Sequence, residues 1–424
     1  MIDIKFLREN LTLVKENIKH KFQESKLNLL DEFVELDIIF HQNLSKINEL
    51  VVIRDKISVG IKNKMENELS ENTIDLDNEI KKINQEQDKI KLRFDEIVEQ
   101  IPNIISDDTP IGKDENFNKE IGNFGKKHIF NFSLKNHIDL AENLNVVDFD
   151  SSRNLSGQGF YYLKADLALL NQALIAYAED FMQKQGHLFI APPFAVNKKA
   201  CDGVISFNDF KDSIYKIENN DLYLIGSSEL SLIAMLTNKV IDEEKLPLKL
   251  FSFSACFRLE KGSHGVNERG LFRVHQFDKV EQIIICKPTD SDKYFNDLLF
   301  NQKTLLLDLG FNVRYLQMCS GDLGDWKKKQ VDIEVWSPIR NKYIELGSCS
   351  NLTETQAIGS NICAKTKCGD KYHVHTLNCT AISITRTLVA ILENFQTEAG
   401  TIKIPEILQP YMYGKTEIKK NESF

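Results

Sequence analysis

The sequence predicts an α+β chain: an N-terminal antiparallel pair of long helices, followed by a domain built on a largely antiparallel sheet with helices interspersed. Three observations predict it. Residues 30–101 hold hardly any Pro or Gly and carry an apolar stripe at heptad spacing. The next stretch, IPNIISDDTPIGKDENFNKEIG, concentrates Pro, Gly, Asp and Asn and ends the helical pattern. From about Phe130, helical segments such as LKADLALLNQALIAYAEDFMQKQG alternate with strand-like runs such as LYLIG, KLFSFSACFRLE, VRYLQM, QVDIEVWSP and KYIELGSCS. The expected division is a helical domain over 1–100, a linker over 101–129 and an α+β domain over 130–424.

In the helical domain, Leu76, Ile80, Ile83, Gln87, Ile90, Phe94, Ile97 and Ile101 follow alternating steps of four and three, with only Gln87 polar. Upstream, Phe33, Leu36, Phe40, Leu44, Ile47, Leu50, Ile57 and Ile61 give a looser seam, and the polar patch ENELSENT separates the two. Such a narrow stripe suits a coiled-coil hairpin roughly 45–50 Å long rather than a helix laid on a core, which buries a wider face.

The composition bounds what the chain does. A net charge of −9 excludes a surface that coats nucleic acid everywhere, though not a local basic groove. No window approaches the ~18–20 apolar residues of a membrane span. The start MIDIKFLREN has no apolar or Arg/Ser-rich leader, so a cytoplasmic location is expected. Eight cysteines without a C-x-x-C pair fit reduced thiols, and the spacing of Cys363, Cys368, His373 and His375 matches no standard zinc finger.

The stretch FRLEKGSHGVNERGLFRVHQFDKVE, residues 257–281, carries chemistry. Alternation puts Arg258 and Glu260 on one face of a strand, and Arg273, His275, Phe277, Lys279 and Glu281 on one face of the next, with mostly apolar residues opposite. The bland reading is a solvated surface hairpin. Three arginines, Arg258, Arg269 and Arg273, in a chain that uses Lys for most of its basic residues point instead to bidentate anion binding. A ring among them suits a flat ligand bearing phosphates. No P-loop or Rossmann glycine signature is present, so a nucleotide would be held by other means.

These motifs, with GDLGDWKKKQVDIEVW and HTLNCTAISITRTLVAILENFQTEAGTIKIPEILQPYM in the same order along nearly the whole chain, resemble the seryl-tRNA synthetases, class II aminoacyl-tRNA synthetases. The resemblance implies a class II antiparallel sheet, a homodimer built around the strand before Pro192 and Pro193, and ATP bent across the hairpin. It implies ATP contacts from Arg258, Leu259, Glu260, Phe277, Glu345, Leu346, Gly347, Ser348 and Arg386, with Arg258, Arg273 and Arg386 catalytic. Phe277 would stack on the adenine, and Glu345 and Ser348 would hold Mg2+. Serine would be held by Ser227, Ser228, Glu229, Arg258, Glu281, Asn378 and Thr380. The helical hairpin would lie on the long variable arm of tRNA(Ser), with Arg54, Lys56, Lys62, Lys64, Lys82, Lys89 and Arg93 as candidate phosphate contacts. The sequence leaves open whether a selenocysteine tRNA is charged as well.

The chain departs from the family pattern at Gly347, at Ile358 and Gly359 where the family's Gln-Ala-Arg-Arg segment reads Gln356, Ala357, Ile358 and Gly359, and at Cys379, Ala381 and Thr385. Side chains at the replaced glycines are expected to crowd positions where backbone lies close to ligands. Two other readings fit parts of the pattern: a paralogue that loads an acceptor other than tRNA, and a catalytically silent regulatory relative.

Overall fold

A computed structural model describes residues 1–61, 68–206, 213–260 and 270–422. The chain forms two compact units, Met1–Pro102 and Asn103–Phe424.

In the first unit, α1 (Leu27–Ile61) and α2 (Glu68–Gln100) pair antiparallel: Phe33 meets Phe94 with ring centroids 4.9 Å apart, and Lys46 reaches Glu79 at 2.6 Å. Every seam residue expected from Ile80 to Ile101 is buried, Gln87 included, which donates to the Phe40 carbonyl at 2.9 Å. On α1, among the described side chains, which leave out Ile61, the seam differs at one position. Leu44 is exposed and Asn43 is partly buried in its place. Phe33, Leu36, Phe40, Asn43, Ile47 and Leu50 keep strict three-four steps, so helix geometry overrides the polarity of one residue.

The second unit is organised by an eight-stranded sheet. Its strands are β1 (Lys119–Phe124), β2 (Leu188–Phe189), β3 (Leu248–Phe257), β4 (Gln276–Cys286), β5 (Val313–Gln317), β6 (Lys329–Ser337), β7 (Lys342–Asn351) and β8 (His375–Ser383). The spatial order is β1-β5-β6-β7-β8-β4-β3-β2, antiparallel throughout except that β2 runs parallel to β3. β1 lies within the stretch read as linker; its residues pair with β5 and form one edge of the sheet. Asn103 opens this unit by donating its side-chain amide to the carbonyls of Trp326 and Leu352 and the hydroxyl of Thr353, at 2.9–3.2 Å.

Alternation along the central strands divides the sheet into two faces. Val280, Ile284 and Cys286 of β4 enter the larger core, backed by α3 (Ala165–Lys184), α4 (Ser291–Asp308) and α5 (Ile384–Asn394). Ile283 and Ile285 enter a smaller apolar cluster on the opposite face, with Ile225, Leu232 and Val374. Towards the N-terminal end of β4, that second face is polar.

Candidate functional site

The polar end of the second face is the floor of a cleft with about 360 Å³ of free space. Strand alternation delivers Phe277, Lys279 and Glu281 from β4 to it. The register sets Thr380 opposite Glu281, Ser350 opposite Asn378 and Asp332 opposite Ser348, so β8, β7 and β6 continue the same polar face.

One end of the cleft is acidic. Glu281 is 2% exposed, ion-paired with Lys279, which is also buried, and within 3.5 Å of the Ser227 hydroxyl, which can donate to it. Burial pushes its carboxyl above the ordinary carboxylate range, with the Lys279 charge opposing, so desolvation outweighs the pair. Glu229, at the start of a short helix, accepts a 2.7 Å bond from the Gln356 side-chain amide. Gln356 is itself held at both ends: the same nitrogen donates to the Val204 carbonyl at 3.0 Å, and its oxygen accepts from the Thr376 hydroxyl at 2.6 Å.

The other end is rich in arginine. The Arg258 Nε donates to the Gly226 carbonyl at 3.2 Å, and its guanidinium carbon lies 5.3 Å from the Phe277 ring centroid. Arg386, on the first turn of α5, meets both the carbonyl and the carboxylate of Glu345 at 3.0 Å. Burial alone would push the Glu345 carboxyl up, but Arg386 beside it and the Arg258 charge hold it below its ordinary value. Burial and that same Glu345 carboxylate push Asp332, on the neighbouring strand, up to about 7. Arg273 lies 3.6 Å from Glu260, which takes a left-handed backbone conformation at φ +49° where β3 gives way to its loop.

The structure brings together in this one cleft Arg258, Glu260, Arg273, Phe277, Glu345, Leu346, Gly347, Ser348 and Arg386 with Ser227, Glu229, Glu281, Asn378 and Thr380. Two expected residues do not line it. Leu259 uses its backbone N–H to reach the Ser213 carbonyl at 2.9 Å, and the Ser228 side chain is fully buried in the turn before Glu229. The expected continuous strands also stop short, at Phe257 and Gln276. His275 therefore leaves the polar face, bonds the Arg258 carbonyl at 2.9 Å and stacks on Phe160. Arg269 lies outside the described residues.

Of the departures from the family pattern, Thr385 lines the cleft as expected, whereas Cys379 and Ala381 do not crowd it. Cys379 and Ala381 alternate with Thr380, so both are fully buried in the helix-backed core and neither faces the cleft. Thr380 does face it, and its Cβ and Cγ2 sit 2.6 and 2.9 Å from where a Cβ on residue 347 would be. Only glycine at 347 leaves that room. Gln356, which keeps the family's residue just before the departures at Ile358 and Gly359, is the residue that aims Glu229.

On the helical hairpin the candidate phosphate contacts separate into two groups. Arg93 forks onto Glu32 at 2.6 and 2.8 Å and onto Glu96 at 2.6 Å, and Arg54 is turned to Asp55 and Asp77. These two arginines are neutralised within the hairpin. Lys56, Lys82 and Lys89 are exposed with no ion pair among the described residues; Lys62 and Lys64 lie outside them. In the string of Cys363, His373 and His375, the Cys363 sulfur is 3.7 Å from His373, while His375 turns to Glu354 at 3.1 Å.

Sequence reasoning missed Asp332, Gln356, Arg340, and the pair His137 and Glu393. Asp332 alternates correctly in VDIEVW and was legible as a face-sharing acid. The others reach their places through tertiary contacts without a local signal.

Two family models match the chain: the seryl-tRNA synthetase N-terminal domain over residues 1–105, and the tRNA synthetase class II core domain (G, H, P, S and T) over residues 212–395. The serine–tRNA ligase of Methanospirillum hungatei is 38% identical over 422 residues, covering 98% of this chain and 99% of its own. Among solved structures, the seryl-tRNA synthetase of Pyrococcus horikoshii complexed with ATP superposes with a TM-score of 0.95 at 36% identity, covering 100% of both chains. The cytoplasmic serine–tRNA ligase of Naegleria fowleri in complex with AMP gives a TM-score of 0.91 at 31% identity, covering 100% of this chain and 99% of that one.

Proposed function

The chain belongs to the seryl-tRNA synthetase family, and from that premise we propose how its cleft activates L-serine with ATP and passes the seryl group to tRNA(Ser). The observation that carries the reading is the polarity of the cleft: buried acids at one end, arginines around an aromatic ring at the other. An amino acid with a free ammonium and a nucleotide triphosphate fit those two ends in one orientation only. The serine ammonium lies against Glu229 and Glu281, and Ser227 and Thr380 hydrogen-bond its hydroxyl. The adenine stacks on Phe277, Arg258 takes the α-phosphate, and Arg273 and Arg386 take the remaining phosphates.

Arg258 stands between the two ends and brings the serine carboxylate onto the α-phosphorus. The carboxylate is already ionised at neutral pH, so no general base is needed, and the catalytic work is positioning and neutralisation of developing charge. The donors at the arginine end fit a divalent cation. Asp332 beside Glu345 is raised to about 7, first by burial and then by the Glu345 carboxylate, and a cation at Glu345 would relieve the second of these. Glu345 and Ser348 would hold Mg2+, which would supply further neutralisation of the phosphates.

For the second half-reaction, the helical hairpin offers Lys56, Lys82 and Lys89 to a tRNA backbone, as readout of a long variable arm by shape requires. A paralogue serving a carrier protein would have no use for two helices of 35 and 33 residues, and a silent relative would not retain both ends of the cleft. The homodimer is drawn to the sheet edge at β2, where Leu188 and Phe189 stand exposed beside only two residues of strand. No helix is long and apolar enough among the described residues to cross a membrane, and the cytoplasm is the location we assign.

ATP–pyrophosphate exchange with each amino acid in turn tests this. Exchange should require serine and Mg2+, with alanine and threonine slower by orders of magnitude, since a site that hydrogen-bonds a substrate hydroxyl rejects an analogue lacking it. Equal exchange with alanine overturns the assignment of the acidic end.

A further inference from the structure

Behind the arginine end lies a second cavity of about 620 Å³, lined among others by His137, Phe272, Arg273, Arg340, Lys342 and Arg386. It shares Phe272, Arg273, Glu345 and Arg386 with the cleft, all from the arginine end, and shares nothing with the acidic end. Phe272 forms the wall. The Arg340 guanidinium carbon lies 4.4 Å from its ring centroid and that of Arg386 5.2 Å. Arg386 is paired with Glu345, whereas Arg340 has no ion pair among the described residues. Two guanidiniums drawn to one ring repel each other, and an anion between them relieves that repulsion.

Both partners of the Phe272–Arg340 stack are tied to one buried carboxylate. Glu393, 1% exposed, accepts from His137 Nδ1 at 3.1 Å and from the Ser337 hydroxyl at 2.7 Å. His137 Nε2 accepts the Leu271 N–H at a long 3.4 Å, immediately before Phe272. Ser337 accepts the Arg340 N–H at 3.2 Å. Gly270 makes the first tie possible: its φ is +142°, and a Cβ there would stand 2.7 Å from His137 Nε2. A solvated turn needs no such anchoring. Holding Arg340 in register with the wall of an ATP site does.

We propose that this cavity is the berth of the departing pyrophosphate and that Arg340 is the residue that binds it there. The proposal rests on the activation reading above. In that step a serine carboxylate oxygen forms a bond to the α-phosphorus, the bond from that phosphorus to the bridging oxygen of the β-phosphate breaks, and the electron pair leaves with pyrophosphate. In-line displacement sends the leaving group away from the acidic end, which holds the serine, and towards the Phe272 wall. A guanidinium without a carboxylate partner suits a diphosphate bidentately.

Full-length protein and its Arg340→Ala and Arg340→Lys variants, compared in ATP–pyrophosphate exchange at varied pyrophosphate and varied serine, test it. Arg340→Ala should raise the KM for pyrophosphate about tenfold while leaving the KM for serine within twofold, and Arg340→Lys should fall between. Pyrophosphate should also inhibit tRNA charging about tenfold less well in Arg340→Ala. An unchanged KM for pyrophosphate overturns the proposal, as does a rise in the KM for serine of the same size, which would mark general damage to the cleft. If the unaltered protein shows no serine-dependent exchange, the activation reading fails first and this inference falls with it; if it exchanges normally, only the role of Arg340 is at stake.

Discussion

The helical hairpin and the catalytic unit handle charge in opposite ways. The hairpin keeps charge outside: its seam is apolar but for Gln87 and Asn43, and surface arginines are neutralised by neighbours such as Glu32, Glu96 and Asp77. The catalytic unit takes charge inside, with Lys279, Glu281 and Glu393 all less than a tenth exposed. Burying an ion costs several kcal/mol unless a partner compensates, so each buried charge there marks either a structural tie or a ligand. Glu393 is a tie, with bonds to both oxygens; Glu281 and Glu345 face the cleft. The hairpin's stability thus resides in its seam and its role on its surface, whereas in the catalytic unit the same interior serves both.

The largest effect expected from this contrast is at the cleft. Arg386→Lys keeps a charge beside Glu345 but loses the fork, and serine-dependent exchange should fall by about 10²–10³ while the circular dichroism spectrum stays as it was. A loss of folded signal in place of activity would mean that Arg386 belongs to the structural class with Glu393, and the contrast would break.

Next in size is the separation of the two units. Joining the helices by a short turn in place of residues 50–84 removes Lys56 and Lys82 but leaves most of the lower seam, including Phe33, Phe94 and Ile97. Charging of tRNA should drop at least about tenfold and lose most of its salt dependence, with exchange retained. Undiminished charging would show that the hairpin surface has another partner.

The smallest effect sharpens the comparison through pH. His187 lies buried in the catalytic unit, and burial, helped by the nearby Lys249 charge and opposed by the Gln185 backbone, lowers it to about 4. The unfolded chain therefore binds a proton that the native state refuses between about pH 6.5 and 4. Stability from this group is complete above 6.5 and is lost as pH falls through that window, about 2 kcal/mol between pH 8 and pH 5. His187→Phe should flatten that part of the pH dependence of unfolding, measured by calorimetry on the full chain, and leave the pH response of the hairpin unchanged. An unaltered slope would show that His187 titrates normally in the native state.

What the sequence by itself determined follows from periodicity. The seam from Ile80 to Ile101 and the shared face of Phe277, Lys279 and Glu281 depend on rises of ~1.5 and ~3.3 Å per residue, which are properties of a single segment. Even the exchange of Leu44 for Asn43 obeys that arithmetic, once the step of three is held strictly. The family motifs placed the remaining cleft residues because each belongs to a short segment with its own local pattern, whether at an element end, as Arg386 is on the first turn of α5, or within a strand, as Glu345 and Ser348 are in β7.

Tertiary structure alone decided what lies beside what. The strand order β1-β5-β6-β7-β8-β4-β3-β2 sets Asp332 against Ser348, leaves at Gly347 the space that Thr380 fills, and carries Gln356 to Glu229 across 127 positions of chain. It also turned Cys379 and Ala381 into the core and brought His137, Ser337 and Arg340 to Glu393. These placements rest on hydrogen bonds and van der Waals gaps between distant segments, and such contacts have no period along the chain. A sequence read one segment at a time shows which faces are polar; only the packed sheet shows which polar faces meet.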